Sequence, residues 1–349
     1  PPGTGKTYSS ANIIIELMRA GKKVGVTSNS HEAIKTLLKA IEQQAKDQDF
    51  EFCGMRKAKS SDKYDWKFIK DITVSKPLNM DDYSLYAGTS WFFVDPRMNK
   101  TLDYLFIDEA GQVALGTTIA NATSAKNLVL IGDQMQLSQP MRAKHEGYAR
   151  MSSLDFILED KDTISADRGI FLNTTRRLNN KICDFISSSF YDSRLTSDPI
   201  TETRSVNLKL DPIKDEGLFY VPIEHSGCSQ RSDEEADLIE KTYNKIINKE
   251  FKVGKNTGKI SAKDIMVVAP YNAQANNIRE RLKKKFKEDV RVGTIDLFQG
   301  QEAKVVLISM TTSDVESLPR HKDFFFSRNR LNVAISRAEC VAIIIFNEN

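Results

Sequence analysis

At 349 residues the chain is longer than a single hydrophobic core usually supports, so two domains are expected, and 40% hydrophobic residues suffice to fill them. The 50 Lys and Arg against 47 Asp and Glu leave a net charge of +3, which excludes a globally basic nucleic-acid binder but permits a local basic track. Cys53, Cys183, Cys228 and Cys340 make no CxxC pair and have no nearby His, which argues against a zinc site and for reduced structural thiols, and no apolar run reaches the length of a membrane span.

In chain order, the first segment is Pro1-Pro2-Gly3-Thr4-Gly5-Lys6-Thr7, the pattern of a phosphate-binding loop. Small residues at Gly3, Thr4 and Gly5 let backbone N–H groups close around phosphates, Lys6 neutralises the β/γ oxygens, and the Thr7 hydroxyl ligates magnesium. The full pattern begins with a glycine before the prolines and follows a buried strand; neither precedes Pro1, so the chain is expected to be a C-terminal fragment whose first sheet lacks its P-loop strand. Ala11, Ile14, Ile15 and Met18 then recur at helical spacing up to Gly21, and Val24-Gly25-Val26 reads as a strand. A second helix carries Ile34, Leu37, Leu38 and Ile41 on one face. Strands ending at Ile107 and Ile131 follow, each delivering acidic residues at its C-terminal end. Residues 1–165 thus read as one α/β nucleotide-binding domain.

From 166 onward the alternation restarts. Strands are expected at Leu218–Val221, Ile265–Val268, Val290–Ile295, Val305–Met310 and Val341–Phe346, with helices from Asp233 to about Asn248, from about Ala273 to Lys287 and near Leu331–Arg337. Lys252–Lys263, with Gly254, Gly258 and several lysines, reads as an exposed loop. Residues 166–349 form the second α/β domain, without a second P-loop.

Asp108 and Glu109 follow three apolar strand residues, so both carboxylates emerge at the sheet edge where a P-loop ends. Asp108 suits a water-mediated magnesium ligand, and Glu109 the orientation or deprotonation of an attacking water. Gly132-Asp133-Gln134-Met135-Gln136-Leu137-Ser138-Gln139-Pro140 ends the next strand. The Gln136 amide both donates and accepts, which suits sensing a γ-phosphate and its water; a solvated turn glutamine is the alternative.

With these segments in order, the chain resembles superfamily 1 helicases, specifically the 1B branch that includes the nonsense-mediated-decay helicase. Asp108-Glu109-Ala110-Gly111-Gln112, Gly132 to Leu137, Gly293-Thr294-Ile295-Asp296-Leu297-Phe298-Gln299-Gly300-Gln301-Glu302 and Asn332-Val333-Ala334-Ile335-Ser336-Arg337-Ala338 resemble that family's motifs II, III, V and VI. The resemblance implies two RecA-like P-loop NTPase-type domains in tandem, ATP and Mg2+ as cofactors, and single-stranded nucleic acid, DNA more than RNA, as partner. It further implies that Arg177 and Arg337 reach across the domain cleft as arginine fingers, for which a planar bidentate guanidinium is suited. Arg176 stands where the family has an aromatic residue stacked on the adenine, so base discrimination is expected to be loose. Gln299, Gly300 and Glu302 resemble the ribose-contacting, strand-coupling motif, with Thr294 facing a strand phosphate.

Ser28, Asn29 and Ser30 after a strand, and Thr89 within Gly88-Thr89-Ser90, resemble phosphate-gripping motifs Ia and Ic, although Ser30 reads equally well as a helix N-cap. Tyr271 in Pro270-Tyr271 resembles a strand-facing motif IV residue, with a packed core tyrosine as the alternative. Between them, residues 45–87 interleave Arg56, Lys57, Lys59, Lys63, Lys67 and Lys70 with Tyr64 and Trp66, which suits either a strand-binding accessory insertion or a small solvated subdomain with Trp66 in its core. Lys283 to Lys287 reads as a wet helix face. Asp167 to Leu172, Phe190-Tyr191 and Phe326 to Asn332 look most like bacterial proteins in which this module follows a RecB-like nuclease. The expected activity is ATP-driven 5′ to 3′ translocation, with a strand-stimulated remodeller or a binding switch as alternatives; thiol usage and ATP dependence favour a cytosolic or nucleoplasmic setting.

Overall fold

Two left-handed glycines bracket the first helix: Gly5, the N-cap, has φ 77°, and Gly21, just past the C-cap Ala20, has φ 73°. The computed structural model describes residues 1–73, 82–138, 146–159, 161–286, 289–313 and 327–348. Gln139 and Pro140 of the motif III segment, residues 74–81 of the 45–87 stretch, Lys287 and Phe326 lie outside the described residues. The chain divides into two units, each with its own cores. The first is Gly5–Gln134 with Ser138–Ile164; the second is Ser165–Asn349 joined by Pro1–Thr4 and Met135–Leu137. The division differs from a simple break at 165/166, because two short segments of the N-terminal half pack with the C-terminal half.

In the first unit, α1 (Lys6–Arg19) buries Ala11, Ile14, Ile15 and Met18, the face its spacing predicts. β1 (Val24–Thr27) is buried throughout, as a central parallel strand requires. α2 (His31–Asp47) starts at Ser30, whose Oγ accepts the Ala33 N–H at 3.0 Å, so Ser30 is a true cap. There follow β2 (Gly54–Lys57), β3 (Ile69–Ile72), β4 (Leu85–Ala87), α3 (Ser90–Phe93), β5 (Leu102–Ile107), α4 (Leu115–Ala122), β6 (Ala125–Leu130) and α5 (Ser153–Leu158). The six strands form one parallel sheet in the order β3-β2-β4-β1-β5-β6. One core joins α1 and α2 to the sheet through Ile14, Ile15, Leu37 and Ile41; the other joins Phe92, Phe93, Leu154 and Leu158. No strand precedes α1 among the described residues, and β6 ends the sheet with Lys126, Asn127 and Leu128 exposed.

The 45–87 stretch is not a separate accessory subdomain: β2, β3 and β4 are strands of the main sheet. Its aromatic and basic residues are largely used internally. Trp66 Nε1 donates to Asp71 at 3.1 Å, the Arg56 guanidinium lies 5.5 Å over the Trp66 ring, and Lys39 sits 4.5 Å over Tyr64. Arg56, 1% exposed, donates to both Asp71 oxygens at 2.7 and 2.9 Å.

The second unit runs β7 (Thr174–Thr175), α6 (Asn180–Phe190), β8 (Thr196–Ser197), β9 (Ser205–Val206), β10 (Gly217–Pro222), α7 (Asp233–Ile246), β11 (Glu250–Val253), β12 (Asn256–Lys259), β13 (Ile265–Val268), α8 (Asn272–Phe286), β14 (Arg291–Gly293), β15 (Ala303–Ser309), α9 (Arg328–Ile335) and β16 (Ala338–Phe346). Its sheet, β10-β16-β15-β13-β14, is wholly parallel and covered on both faces, one core including α6 and α9, the other α7 and α8. Two expectations change. β14 stops at Gly293 because Ile295–Phe298 coils into a 3-10 turn. The expected loop at Lys252–Lys263 contains a hairpin: β11 pairs β12, Gly254 turns at φ 63°, and Phe251 sits opposite Gly258, where an added Cβ would lie 2.9 Å from the phenyl ring. Of the lysines on α8, Lys285 pairs with Glu240 at 2.9 Å, as a wet face allows. Among the described residues no helix is long and apolar enough to cross a membrane, and the four cysteines are free thiols.

Removing the carboxylate of Asp71 leaves the buried Arg56 guanidinium with only Asp62 as its anionic partner, at 3.4 Å, so Asp71→Ala is expected to cost about 3 kcal/mol in denaturant unfolding. Burial raises the Asp71 pKa, but the Arg56 guanidinium and the Tyr64 N–H outweigh it and hold the carboxyl below its usual value. Its stabilisation is therefore full above the ordinary carboxylate range and lost as pH falls through the lowered pKa; the alanine variant should lack that part of the acid dependence.

Candidate nucleotide and nucleic-acid site

The loop before α1 needs its glycines. Gly3 has φ 68°, and a Cβ there would stand 2.4 Å from Arg177 Cβ and 2.7 Å from Thr175 Oγ1. The Gly3 carbonyl accepts the Arg176 N–H at 2.8 Å, which is why Pro1–Thr4 group with the second unit. Thr4 is buried and its Oγ1 donates to the Pro1 carbonyl at 3.0 Å. Lys6 and Thr7 form the first turn of α1, where the N-cap Gly5 supplies no side-chain cap; such a helix start offers backbone N–H groups and dipole to an anion.

Asp108 and Glu109 leave the C-terminal end of β5 beside β1: the Asp108 N–H donates to the Thr27 carbonyl at 2.9 Å. Burial and the neighbouring Glu109 charge push the Asp108 carboxyl up to about 6, although the Glu109 N–H, 3.0 Å from Oδ1, and the Lys6 charge favour its ionised form. Glu109 itself has φ 53°, a left-handed conformation that costs a non-glycine residue. Two glycines make the fit: a Cβ on Gly111 would lie 3.1 Å from the Asp133 carbonyl, and one on Gly132 would lie 2.9 Å from the Ala110 nitrogen. Motif II is thus pressed against the start of motif III, with Asp133 buried.

Gln136 is placed differently from expectation. It belongs to the second unit, because Asn332 and Asn329 of α9 donate to the Met135 and Gln136 carbonyls at 2.7 and 2.6 Å, and Met135 and Leu137 join that unit's core. Neither asparagine was singled out as a holder of motif III from the sequence, since a carbonyl partner leaves no pattern there.

Within the second unit, segments far apart in sequence converge on Arg177. Its Nε donates to Glu302 Oε2 at 2.6 Å, and one terminal nitrogen lies 3.4 Å from the Ser336 carbonyl. Arg337 is 2% exposed and donates to the Val333 and Gln301 carbonyls at 3.2 and 3.1 Å. Gln299 follows the 3-10 turn as its C-cap, and Gly300 has φ 76°. Arg176 is mostly exposed and ion-paired with Asp198 at 3.2 Å. Tyr271 is half-buried, its hydroxyl bonded to the Thr312 side chain and its pKa raised by burial. Thr294 begins the 3-10 turn without capping it by its side chain.

On the first unit, Ser28 is 1% exposed, whereas Asn29 and Ser30 are exposed and the Asn29 amide donates to the Gln112 carbonyl. Gly88 N–H donates to the Val26 carbonyl at 3.2 Å, which sets Thr89 at the same end of the sheet as Ser28. Among the described residues no group of three or more His, Cys, Asp or Glu is placed to hold a metal. Magnesium needs no such cluster, since it takes one or two carboxylates and completes its shell with phosphate and water, a requirement that Asp108 and the Thr7 hydroxyl would suit.

A family model described as an AAA domain matches residues 153–349, more than half of the sequence. The chain belongs to that family. A second model, the helicase domain of RNA cytidine acetyltransferase NAT10/TcmA, matches residues 1–142. The DNA polymerase alpha-associated DNA helicase A of Schizosaccharomyces pombe is 30% identical over 263 residues, covering 72% of this chain and 38% of that protein. Its Saccharomyces cerevisiae counterpart is 26% identical over 82% of this chain and 44% of its own length. The Arabidopsis thaliana DNA replication ATP-dependent helicase/nuclease JHS1 is 24% identical over 99% of this chain and 26% of its own. With these relatives the AAA-domain chain is a superfamily 1 helicase by family, spanning less than half the length of the relatives it matches. The arterivirus nonstructural protein 10 helicase, solved with DNA, covers 99% of the chain at a TM-score of 0.51 and 15% identity, and shows the same tandem RecA-like fold.

For this helicase chain the raised Asp108 pKa has a stability consequence. The folded state binds the proton better than the unfolded state, so stability is highest below the ordinary value of 3.8 and falls as pH rises through about 6. In metal- and nucleotide-free buffer, Asp108→Asn is expected to raise unfolding free energy by about 3 kcal/mol at pH 8 and by little at pH 3.5, read from denaturant midpoints.

Proposed function

We propose that the protein is an ATP-driven translocase on single-stranded nucleic acid, acting on DNA in preference to RNA and moving 5′ to 3′. The observation that carries this reading is the Asp108–Glu109 pair, one carboxylate buried and raised to about 6, at the strand end next to the Lys6 charge. In it Gly3, Thr4, Gly5 and Lys6 hold the triphosphate, and Thr7 and Asp108 hold Mg2+, which when bound neutralises phosphate charge. Glu109 orients and deprotonates the attacking water; Gln136 senses the γ-phosphate; Arg177 and Arg337 act as the arginine fingers. Arg177 exchanges its Glu302 partner for phosphate, and Arg337 leaves its two carbonyls.

Arg176, Gln299, Gly300 and Glu302 meet the base and ribose. Ser28, Asn29, Ser30, Thr89, Tyr271 and Thr294 grip the strand, with Ser30 doing so through its capped helix start. Residues 1–165 and 166–349 act as the two RecA-like halves of one cytoplasmic motor of the 1B branch, following a RecB-like nuclease in a longer polypeptide. The names of the DNA helicase A relatives and of the helicase/nuclease JHS1 support the choice of DNA and of a nuclease partner.

The test is ATP hydrolysis with and without single-stranded DNA and RNA, with Lys6→Ala as the blank. The expected result is strand-dependent stimulation, larger for DNA, and at least about a 100-fold fall in kcat for Glu109→Gln with nucleotide binding retained. No response to either strand contradicts the proposal. Because Arg176 offers a guanidinium instead of a ring, kcat/KM for ATP, GTP, CTP and UTP should agree within about tenfold; a strong preference for ATP would remove Arg176 from the base site.

A further inference from the structure

We infer that Trp91 stacks on a nucleobase of the bound strand, an inference that rests on the strand-binding reading above. Three consecutive aromatic side chains follow Ser90 in α3, and they part company: Phe92 and Phe93 are 3% and 0% exposed in the core, while Trp91 is 82% exposed. Leaving the largest apolar side chain in water gains nothing for folding, since an indole is among the side chains with most to gain from burial. The other tryptophan, Trp66, is committed to Asp71 and Arg56.

The surroundings identify the ligand chemistry. Trp91 lies two residues after Thr89, at the sheet end shared by β4 and β1. There the Thr27 and Ser28 hydroxyls are buried without a hydrogen-bond partner among the described residues. Buried hydroxyls normally find partners, and two neighbours lacking them point to a polar ligand at this edge. From the adjacent strand end comes Lys57, whose Nζ lies 5.6 Å from the Phe92 ring centre, one residue from Trp91 in sequence. Hydroxyls and a cation suit phosphates, and a flat exposed indole suits a base; together they match a single strand, whose bases are not hidden in a duplex. Gly88 fixes the placement, because a Cβ there would lie 2.9 Å from Phe92 and displace the turn that carries Trp91.

With Trp66→Phe, Trp91 is the sole indole of the chain. Titration with oligo-dT should quench its fluorescence in step with binding followed by anisotropy of a labelled strand, whereas an abasic strand of equal length should bind more weakly and without quenching. In the wild-type background, Trp91→Ala should weaken oligo-dT binding about 5- to 100-fold, leave abasic binding unchanged, and be partly rescued by Trp91→Phe. Oligo-dT binding without quenching and unaffected by Trp91→Ala overturns the stacking role while leaving the strand reading in place. Binding of neither strand overturns both.

Discussion

A half-buried carboxylate beside a second one at the end of a parallel strand is expensive to keep, and much of this structure follows from the need to keep Asp108 there. β1 is buried throughout and β5 over Leu105–Ile107, so whatever leaves their C-terminal ends is held by the core rather than by solvent. The Thr27 carbonyl fixes the Asp108 backbone, Gly111 and Gly132 let the next strand's exit press against it, and Glu109 is forced into a left-handed turn. The ionised form of Asp108 is therefore disfavoured by its own surroundings, burial first and the Glu109 charge second.

The second unit shows the complementary arrangement. Its cations are held in advance by acceptors of the same unit, Arg177 by Glu302 and Arg337 by the Val333 and Gln301 carbonyls. Arginine keeps its charge in such surroundings, whereas a lysine would shed its proton more readily. In the proposed mechanism, phosphate binding by these groups is an exchange of partners.

Local periodicity made much of the fold legible. Ala11, Ile14, Ile15 and Met18 on α1, and Ile34, Leu37, Leu38 and Ile41 on α2, face the core as their spacing requires, because helix amphipathicity is written within a few turns. The hairpin at 250–259 was missed because its signal is relational: Phe251 needs Gly258 opposite it, and a stretch rich in lysine and glycine reads as loop until that pairing is known. Trp66 was ambiguous for the same reason, its partners Asp71 and Arg56 being visible only once β2 and β3 are paired. The motif residues Asp108, Glu109, Lys6 and Thr7 stood out by type and spacing. The packing of Met135–Leu137 with the second unit did not, since the bond that decides it joins residues 197 apart. Trp91 carried a signal that sequence reading passed over, an indole immediately after a Gly-Thr-Ser turn, and exposure gave it meaning.

In the proposed motor, hydrolysis is spent on movement along a strand. The most direct measurement is displacement of streptavidin from biotinylated single-stranded DNA by the protein with ATP, comparing biotin at either end and using Glu109→Gln as control. The account predicts displacement from the 3′ end, little from the 5′ end, and none with Glu109→Gln; strand-stimulated ATP hydrolysis without displacement from either end would contradict it and make the protein a remodeller rather than a motor.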